Sequence, residues 1–247
     1  MKPSSGNFMN SKTYKRILLK LSGEALWEKF PGKTFPSMLE FIASEISKAV
    51  SEGFQIGVVI GGGNVIRGAR MSEGMKLDRV TADNIGMLST VINALMLREA
   101  IRLNKVEAHV MCAFKVEGIA KRFKRDKAIR RLEKGDVVIF AGGTGNPYFS
   151  TDTAAALRAL EIGASALVKG SKVDGVYDKD PFKYPKAKRY DVLTYDEAIA
   201  KELGIMDLTA FSLLKNSNIP VIVYKMSEPG MLGKVLRNKG KMSLVKT

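Results

Sequence analysis

The residues best suited to chemistry follow an apolar run that is typical of a buried strand. Residues 137–140 (VVIF) break into a glycine-rich loop, GGTGNP, at 142–147. The chain then restarts at Ser150 as the cap of an alanine-rich helix that carries Asp152 at its start. A strand, a glycine loop and a helix N-terminus together offer free N–H groups and a positive dipole end to an anion. An ordinary βα turn with polar caps is the alternative.

Two further glycine junctions follow apolar runs. Gly61–Gly63 follow the run 56–60, and Lys20 to Gly23 follow the run 17–19. If the sheet is parallel, these loops share the edge at the carboxyl ends of the strands, where open α/β folds bind ligands. Several anion cradles at one edge suggest a nucleotide together with a second phosphorylated substrate.

Two lysines and one aspartate could act on a phosphate at this edge. Lys20 and Lys169 both stand at predicted strand ends, and Asp152 could hold them by ion pairing. Phosphoryl transfer needs cations and N–H dipoles around the transferring group, with the attacking and leaving oxygens in line. For each residue taken alone, the alternative to a catalytic role is a structural or surface role. Because they share a placement at the strand ends, we give a catalytic role for Lys20, Asp152 and Lys169 the same weight as a structural or surface role.

A second candidate segment runs from Val173 to Asp180. Tyr177 could stack on a nucleobase, and Asp180 could accept a hydrogen bond from a base or a ribose. A plain loop explains the same turn residues.

Charge adds a separate expectation. Of the 247 residues, 45% are apolar and 26% are charged, and the formal net charge is +15, a field that attracts polyanions. The basic residues are most concentrated in 115–134. We favour a solvated helical face there over a nucleic-acid surface, because Phe123 is the one aromatic among the charges and single-stranded bases need stacking partners.

The composition excludes several function classes. With one cysteine, Cys112, and one histidine, His109, the chain has no material for a disulfide framework, a cysteine metal cluster, a multi-histidine site or a Ser-His-Asp triad. We assign both residues to packing in a buried strand at 109–114. No apolar run approaches the roughly 20 residues of a membrane span, and the N-terminus lacks a signal peptide, so we expect no membrane partner and a cytoplasmic protein.

The order of the elements predicts the fold class. Apolar strands alternate with helices, which indicates a three-layer α/β/α sandwich with a mostly parallel central sheet. We expect residues 1–13 to form a flexible arm and 14–247 to form a single domain. Capping boxes at Ser37-x-x-Glu40 and Thr194-x-x-Glu197 open two helices, the second ending at Gly204, and 178–190 form a long loop.

A long helix is predicted from Asp83 to Asn104. Its leucine, methionine and isoleucine stripe suits core packing and also a subunit interface.

Several motifs occur in the order and spacing of one family. KLSGEAL at 20–26, VIGGGN at 59–64, the loop at 141–151, KVDGVY at 172–177 and MDLTAF at 206–211 resemble the amino acid kinase family, with Arg67-Gly68 between the second and third. The similarity covers nearly the whole chain from Tyr14. It is closest to the bacterial members that act on UMP, since 144–152 looks like a UMP-binding loop.

The resemblance implies a carbamate kinase-like fold and transfer of the γ-phosphate of ATP to UMP, giving UDP and ADP in pyrimidine nucleotide synthesis, with Mg²⁺ carried by ATP. The residues it assigns to ATP are Lys20, Leu21, Ser22, Gly23, Gly63, Arg67, Ser171, Tyr177 and Asp180. The residues it assigns to UMP are Gly62, Asp83, Thr144, Gly145, Asn146, Pro147, Tyr148, Phe149, Ser150 and Thr151.

Partners and regulation are also implied. Family members are similar in forming homohexamers from dimers, and UTP could inhibit by feedback at the uridine site. The segment 27–33 (WEKFPGK) departs from the glycine-rich segment that is linked to GTP activation in many relatives, which puts such activation in doubt. We weigh two alternatives: a same-fold kinase for aspartate or glutamate, against which the loop at 144–152 argues, and a nucleic-acid-binding protein. The second could also coexist with the kinase as a secondary activity.

Overall fold

The computed structural model describes residues 14–23, 35–64 and 77–247, and shows one large sheet between two layers of helices. The predicted three-layer α/β sandwich is confirmed. The described residues do not include the expected arm at 1–13, the segment 27–33 or Arg67.

The sheet has nine strands in the described part of the chain, in the order β4-β3-β5-β2-β1-β6-β10-β11-β9. Neighbouring strands are parallel except β10 and β11, and the short β7 and β8 form a separate antiparallel pair. The strands are β1 Arg16–Leu21, β2 Gln55–Ile60, β3 Ala108–Cys112, β4 Lys121–Arg122, β5 Val137–Ala141, β6 Ala166–Ser171, β7 Val176–Tyr177, β8 Arg189–Tyr190, β9 Val192–Thr194, β10 Val221–Lys225 and β11 Met242–Lys246.

Helices cover both faces of the sheet. The described helices are α1 Phe35–Ser51, α2 Arg79–Leu103, α3 Arg125–Glu133, α4 Thr151–Glu161, α5 Tyr195–Ala200, α6 Leu208–Lys215 and α7 Met231–Leu236. Alternate residues of β1 serve the two layers: Ile17 and Leu19 belong to the core under α1, α2 and α7, and Leu18 belongs to the core under α3 to α6. This period of two is what a strand that is buried on both faces requires.

The strand register places two lysines side by side. In the parallel pair β1–β6, Lys20 lies opposite Lys169, and both follow the side-chain direction of Leu18 and Leu167 toward the layer that contains α4. The carboxyl ends of β1, β2, β5 and β6 meet at the same edge of the sheet. The fold therefore brings the three predicted glycine junctions to one place.

Helix α2 differs from the prediction in two ways. It begins at Arg79, four residues before the predicted Asp83, because the side chain of Asp78 accepts a hydrogen bond from Thr81 N and caps the helix. By length and composition it could also cross a membrane, with a mean hydropathy of 1.3 over its most apolar window, contrary to our expectation from the sequence. It packs instead as a layer of the sandwich, with Ala94, Leu97 and Ile101 in the core.

Other boundaries show where local signals were incomplete. The capping box at Thr194 and Glu197 is confirmed, but α5 ends at Ala200 rather than near Gly204. Helix α1 already includes Ser37, so that residue lies inside its first turn rather than at its N-cap. The β7–β8 pair flanks a connection at 178–188, so the predicted loop at 178–190 ends two residues early, where β8 begins. Strand β11 was missed, because a basic C-terminal segment of alternating character gives a weak signal until β10 offers it a pairing edge.

Candidate active site

The centre of the site is a buried cluster of three charged side chains. Lys20 Nζ lies 2.9 Å from Asp152 Oδ1, and Lys169 Nζ lies 3.1 Å from Asp152 Oδ2. The side chains of Lys20, Lys169 and Asp152 are only 8%, 16% and 17% exposed. One carboxylate therefore holds two ammonium groups in fixed positions, and the cluster carries one excess positive charge at the carboxyl edge of the sheet.

Burial and neighbouring charges shift the ionisation of this cluster. Burial opposes ionisation of Asp152, but the charges of Lys20 and Lys169 outweigh it and hold the pKa of that carboxyl below its usual value. Burial, and then the adjacent charge of Lys20, lower the pKa of the Lys169 ammonium, while Asp152 opposes this shift. The ionised states of Asp152 and Lys169 thus depend on the geometry of the cluster.

The start of α4 positions the carboxylate. Ser150 is the N-cap, and its Oγ accepts hydrogen bonds from Asp152 N at 3.0 Å and Thr153 N at 3.1 Å. Asp152 lies in the first turn, where the helix dipole favours a negative charge. The sequence prediction of this cap is confirmed.

A second carboxylate, Asp207, ties α4 to α6. It caps α6 by accepting a hydrogen bond from Ala210 N at 2.8 Å, as the sequence predicted. It also accepts hydrogen bonds from the hydroxyls of Ser150 and Thr153, a role that the sequence did not reveal. In addition, Lys169 Nζ donates to the carbonyl of Ile205, so the segment before α6 fixes the lysine as well.

The glycine junctions touch one another closely. A Cβ at Gly23 would collide with the carbonyl oxygen of Gly61, and a Cβ at Gly62 would lie 2.6 Å from the carbonyl oxygen of Gly86 in α2. Only glycine fits where backbones approach this closely. The loops after β1 and β2 and the helix α2 can therefore meet at the edge.

The first cavity at this edge, the glycine-loop cavity, has a volume of about 320 Å³. It lies between the loops after β2 and β5 and the start of α2. Of the residues assigned to UMP from the resemblance, the structure brings together Gly62, Asp83, Asn146, Tyr148, Phe149, Ser150 and Thr151, and it adds Gly63, which was assigned to ATP.

Asp83 organises one wall of the glycine-loop cavity. Its Oδ2 accepts hydrogen bonds from Tyr148 N and from Arg79 Nε, both at 2.8 Å. The Arg79 guanidinium also lies over the Tyr148 ring, 5.6 Å from its centroid. Tyr148 has a φ of 70°, an uncommon conformation for a residue other than glycine. These contacts hold the loop after β5 in place.

Three predicted residues of the same loop do not line this cavity. Thr144, Gly145 and Pro147 are not among the described residues that surround it. Thr144 Oγ1 instead accepts a hydrogen bond from Asn146 N at 3.2 Å, and Gly145 lies against Ala113. These contacts shape the turn itself.

The second cavity, the hairpin cavity, has a volume of about 370 Å³ and lies beside β6 and β7. Lys169, Ser171, Tyr177 and Asp180 line it, so the structure brings together the predicted C-terminal residues. Tyr177 Oη donates to Asp174 Oδ1 at 2.6 Å, and Asp180 Oδ1 accepts from Phe182 N at 2.9 Å. Because Lys169 lines this cavity and Thr151, next to Asp152, lines the other, the charged cluster connects the two.

Leu21 and Ser22 complete the loop after β1. The Leu21 side chain is buried in the core, so only its backbone is available to a ligand, whereas Ser22 is half-buried. Sequence reasoning missed Thr90 and Asn93. Thr90 Oγ1 accepts from Gly142 N at 2.7 Å, and Asn93 Nδ2 donates to Gly61 O at 2.7 Å. The sequence pattern that could have revealed them is a pair of polar residues one turn apart in an apolar helix.

The chain belongs to the amino acid kinase family, whose model matches residues 15–225. It is 49% identical over 231 residues to the uridylate kinase of Xanthomonas oryzae pv. oryzae, covering 94% of this chain and 96% of that protein. It is 51% identical over 219 residues to the uridylate kinase of Ectopseudomonas mendocina, covering 89% and 88%. The crystal structure of UMP kinase from Bacillus anthracis superimposes with a TM-score of 0.89 at 36% identity, covering 95% of this chain and 97% of that one.

Replacement of Asp152 by asparagine tests the charged cluster. We expect Asp152→Asn to lower kcat for phosphoryl transfer by about 10²- to 10³-fold, since the lysines act on charge that develops in the transition state. The KM of the phosphate donor and the KM of the acceptor should each change by less than about threefold. The alkaline limb of the kcat–pH profile should move to lower pH. Loss of the carboxylate removes the interaction that raises the pKa of Lys169. Steady-state kinetics across pH measures both effects, and an unchanged kcat would remove Asp152 from the mechanism.

Proposed function

We propose that this chain is a uridylate kinase, which transfers the γ-phosphate of ATP to UMP and yields UDP and ADP for pyrimidine nucleotide synthesis. The observation that carries the proposal is the ion-paired cluster of Lys20, Asp152 and Lys169 connecting two cavities. Relatives about 50% identical over most of the chain, which are named uridylate kinase, support the same reaction. Soluble nucleotide substrates of this kind favour a cytoplasmic location.

UMP is assigned to the glycine-loop cavity. The N-terminus of α4 and the hydroxyl of Thr151 offer donors to its phosphate. Asp83 uses Oδ2 for Tyr148 and Arg79, while its Oδ1 has no hydrogen-bond partner in the described part of the chain. That oxygen is available to accept hydrogen bonds from the ribose hydroxyls. Thr144, Gly145 and Pro147 serve by holding the turn.

ATP is assigned to the hairpin cavity. Tyr177 supplies an aromatic face, and Ser171 and Asp180 supply polar groups for the adenine nucleotide. The γ-phosphate then points toward Lys169 and the loop after β1, where the backbone of Leu21, Ser22 and Gly23 faces the edge. The resemblance assigns Gly63 to ATP, but Gly63 lines the glycine-loop cavity, so it lies where the two substrates meet.

The reaction needs little covalent chemistry from the protein. The ammonium groups of Lys20 and Lys169 neutralise the equatorial oxygens of the phosphoryl group as it passes between the substrates. Asp152 holds both ammonium groups in place and favours the charged form of Lys169. The dipole of α4 adds positive potential at the same point.

Magnesium fits this site as part of Mg-ATP. Asp152 is engaged by two ammonium groups, and Asp207 by Ser150, Thr153 and Ala210. Among the described residues, no group of three or more His, Cys, Asp or Glu side chains could hold a metal ion. The ion would be held by the phosphates of ATP, where it neutralises the charge of the β- and γ-oxygens.

Regulation by UTP follows from the same assignment. UTP shares the uridine and ribose of UMP, so it can occupy the glycine-loop cavity and act as a feedback inhibitor. The departure of residues 27–33 from the glycine-rich segment of many relatives argues against activation by GTP.

We also propose a homohexamer built from dimers. Helix α2 presents large apolar side chains to solvent, with Leu88 and Ile92 each 49% exposed and Leu103 81% exposed. Such a stripe is typical of a subunit interface. Sedimentation velocity of the wild-type chain should give a mass near six times 27.1 kDa. A mass near that of one chain would contradict the proposal.

ADP release with Mg-ATP and a panel of acceptors tests the reaction. We expect strong turnover with UMP and little with CMP, dTMP, aspartate or glutamate, because the relatives that are about 50% identical over most of the chain are named uridylate kinase. Chelation of Mg²⁺ should abolish turnover, and UTP should compete with UMP. Turnover with an amino acid would contradict the assignment of UMP as the substrate, although the fold would still hold. Absence of turnover with every acceptor would contradict the proposed kinase activity.

Asp83 and Asp180 provide a matched pair for the substrate assignment. Asp83→Ala should raise the KM for UMP about 10-fold or more, because a hydrogen bond to a charged group contributes about 1.5–3 kcal/mol. Asp180→Ala should raise the KM for ATP instead. The two values of KM are measured for both variants under the same conditions. The opposite pattern would mean that the two cavities are assigned the wrong way round.

A further inference from the structure

The inner side of helix α2 carries polar side chains that the proposed reaction does not explain. Ser89, Thr90 and Asn93 are its buried polar residues, and Asn93 is 0% exposed. Burial of a carboxamide is unfavourable unless its polar atoms find hydrogen-bond partners. Apolar residues of the same helix, such as Leu97, already pack it against the core. A fully buried asparagine at this position therefore needs an explanation other than packing.

Every polar atom of the Asn93 side chain is engaged. Nδ2 donates to Gly61 O at 2.7 Å and to Asn64 Oδ1 at 2.6 Å. Oδ1 accepts from Asn64 Nδ2 at 3.0 Å, so the two carboxamides form a reciprocal pair. The carbonyl of Gly61 fixes the orientation of the group, because the opposite orientation would place two acceptor oxygens against each other. Among side chains of this size, only asparagine offers two donors and an acceptor together.

Asn93 holds the loop after β2 at two points. Gly61 is the first residue after this strand, and Asn64 is the fourth. Gly62 and Gly63 lie between the two points, and both line the glycine-loop cavity. Glycine has more conformational freedom than any other residue, so these two need fixed neighbours if their N–H groups are to stay in one place. The part of the loop that faces the acceptor phosphate therefore depends on one side chain of α2.

The same two oxygens also contact the loop after β1. A Cβ at Gly23 would collide with Gly61 O and Asn64 Oδ1, the two atoms to which the α2 carboxamide donates. Gly61 N also donates to Leu21 O at 2.9 Å. The loop after β1 is assigned to ATP, and the loop after β2 lines the cavity assigned to UMP. Asn93 therefore lies directly behind the contact between the donor side and the acceptor side of the site.

We propose that Asn93 is a positioning residue for phosphoryl transfer, which sets the alignment of the two substrates by clamping the loop after β2 against the loop after β1. This inference rests on the proposed function, since it assigns one loop to each substrate. Asn93 is not among the described residues that line either cavity, so it acts through the backbone of the loops. A misplacement of about 1 Å between reacting groups can lower the rate about 10²-fold.

Replacement of Asn93 by alanine tests the clamp, because it removes all three hydrogen bonds. We expect Asn93→Ala to lower kcat for UMP phosphorylation by about 10- to 10²-fold and to change the KM of ATP and of UMP by less than about threefold. Steady-state kinetics with each substrate varied in turn measures these values. A raised KM with an unchanged kcat would mean that Asn93 only shapes a binding cavity, and it would overturn the proposal.

The matched control is Leu97→Ala, which changes a fully buried residue one turn further along the same helix. It leaves a cavity in the core, so it should lower the melting temperature at least as much as Asn93→Ala does. Its kcat should stay within about threefold of the wild type at a temperature where both variants are folded. An equal fall of kcat in both variants would show that Asn93 acts only through stability, and it would overturn the proposal.

Asn64 provides a second variant that does not depend on a change in the core, because this residue is half-buried. Asn64→Ala leaves the bond from Asn93 to Gly61, so its kcat should fall less than that of Asn93→Ala. The double variant should match Asn93→Ala alone, since the two carboxamides act as one unit. Additive losses, or a wild-type kcat in Asn64→Ala, would overturn the clamp.

Hydrogen–deuterium exchange of the substrate-free protein gives a readout that does not depend on the reaction. The amide of Gly61, which donates to Leu21 O, should exchange about 10-fold faster or more in Asn93→Ala than in the wild type or in Leu97→Ala. Overlapping peptides isolate this amide, and unchanged protection there would overturn the clamp. Failure of the wild type to phosphorylate UMP would instead contradict the proposed function, whereas equal turnover by the wild type and Asn93→Ala would overturn only the role of Asn93.

Discussion

The position of two lysines in neighbouring strands is the constraint on which the site depends. Lys20 of β1 and Lys169 of β6 are cross-strand partners in a parallel sheet, and their side chains leave the same face. Adjacent strands are about 4.8 Å apart, so the two charges would repel strongly in a buried setting. Asp152 removes this conflict by binding one ammonium group with each oxygen. The result is a pair of cations whose positions are fixed before any substrate arrives.

Much of the surrounding structure can be understood as support for that carboxylate. Asp152 is in place only if α4 begins where it does, and the cap by Ser150 fixes that start. Asp207 accepts from Ser150 and Thr153 and also caps α6, so the N-termini of both helices are tied to one side chain. Ile205, just before α6, accepts a hydrogen bond from Lys169. The helix layer and the sheet are thereby joined at the site by hydrogen bonds as well as by apolar packing.

The fold and the centre of the site could be predicted from the sequence because their signals are local. Apolar runs broken by glycine mark strands that end at a ligand edge, and Ser150 and Asp207 are caps recognisable by type and position. What could not be predicted depends on contacts across the chain. The hydrogen bond between Thr90 and Gly142 spans 52 residues, and no local pattern encodes it. The start of α2 was predicted four residues late, since the helix begins at Arg79 with Asp78 as its cap. His109 lies in β3 but is only partly buried, with its Nε2 3.0 Å from Oδ2 of Asp136, a residue 27 positions away.

The active site holds only a small part of the net charge of +15. In the active site, two lysines and one aspartate leave one excess charge, and burial shields their pairing from salt. At the far edge of the sheet, beside β4 and α3, five exposed or half-buried cations have no acidic partner among the described residues, and their interactions are open to screening by ions: Lys121, Arg122, Lys124, Lys127 and Arg130. The charge needed for phosphoryl transfer is therefore small and local, and it does not require a basic protein.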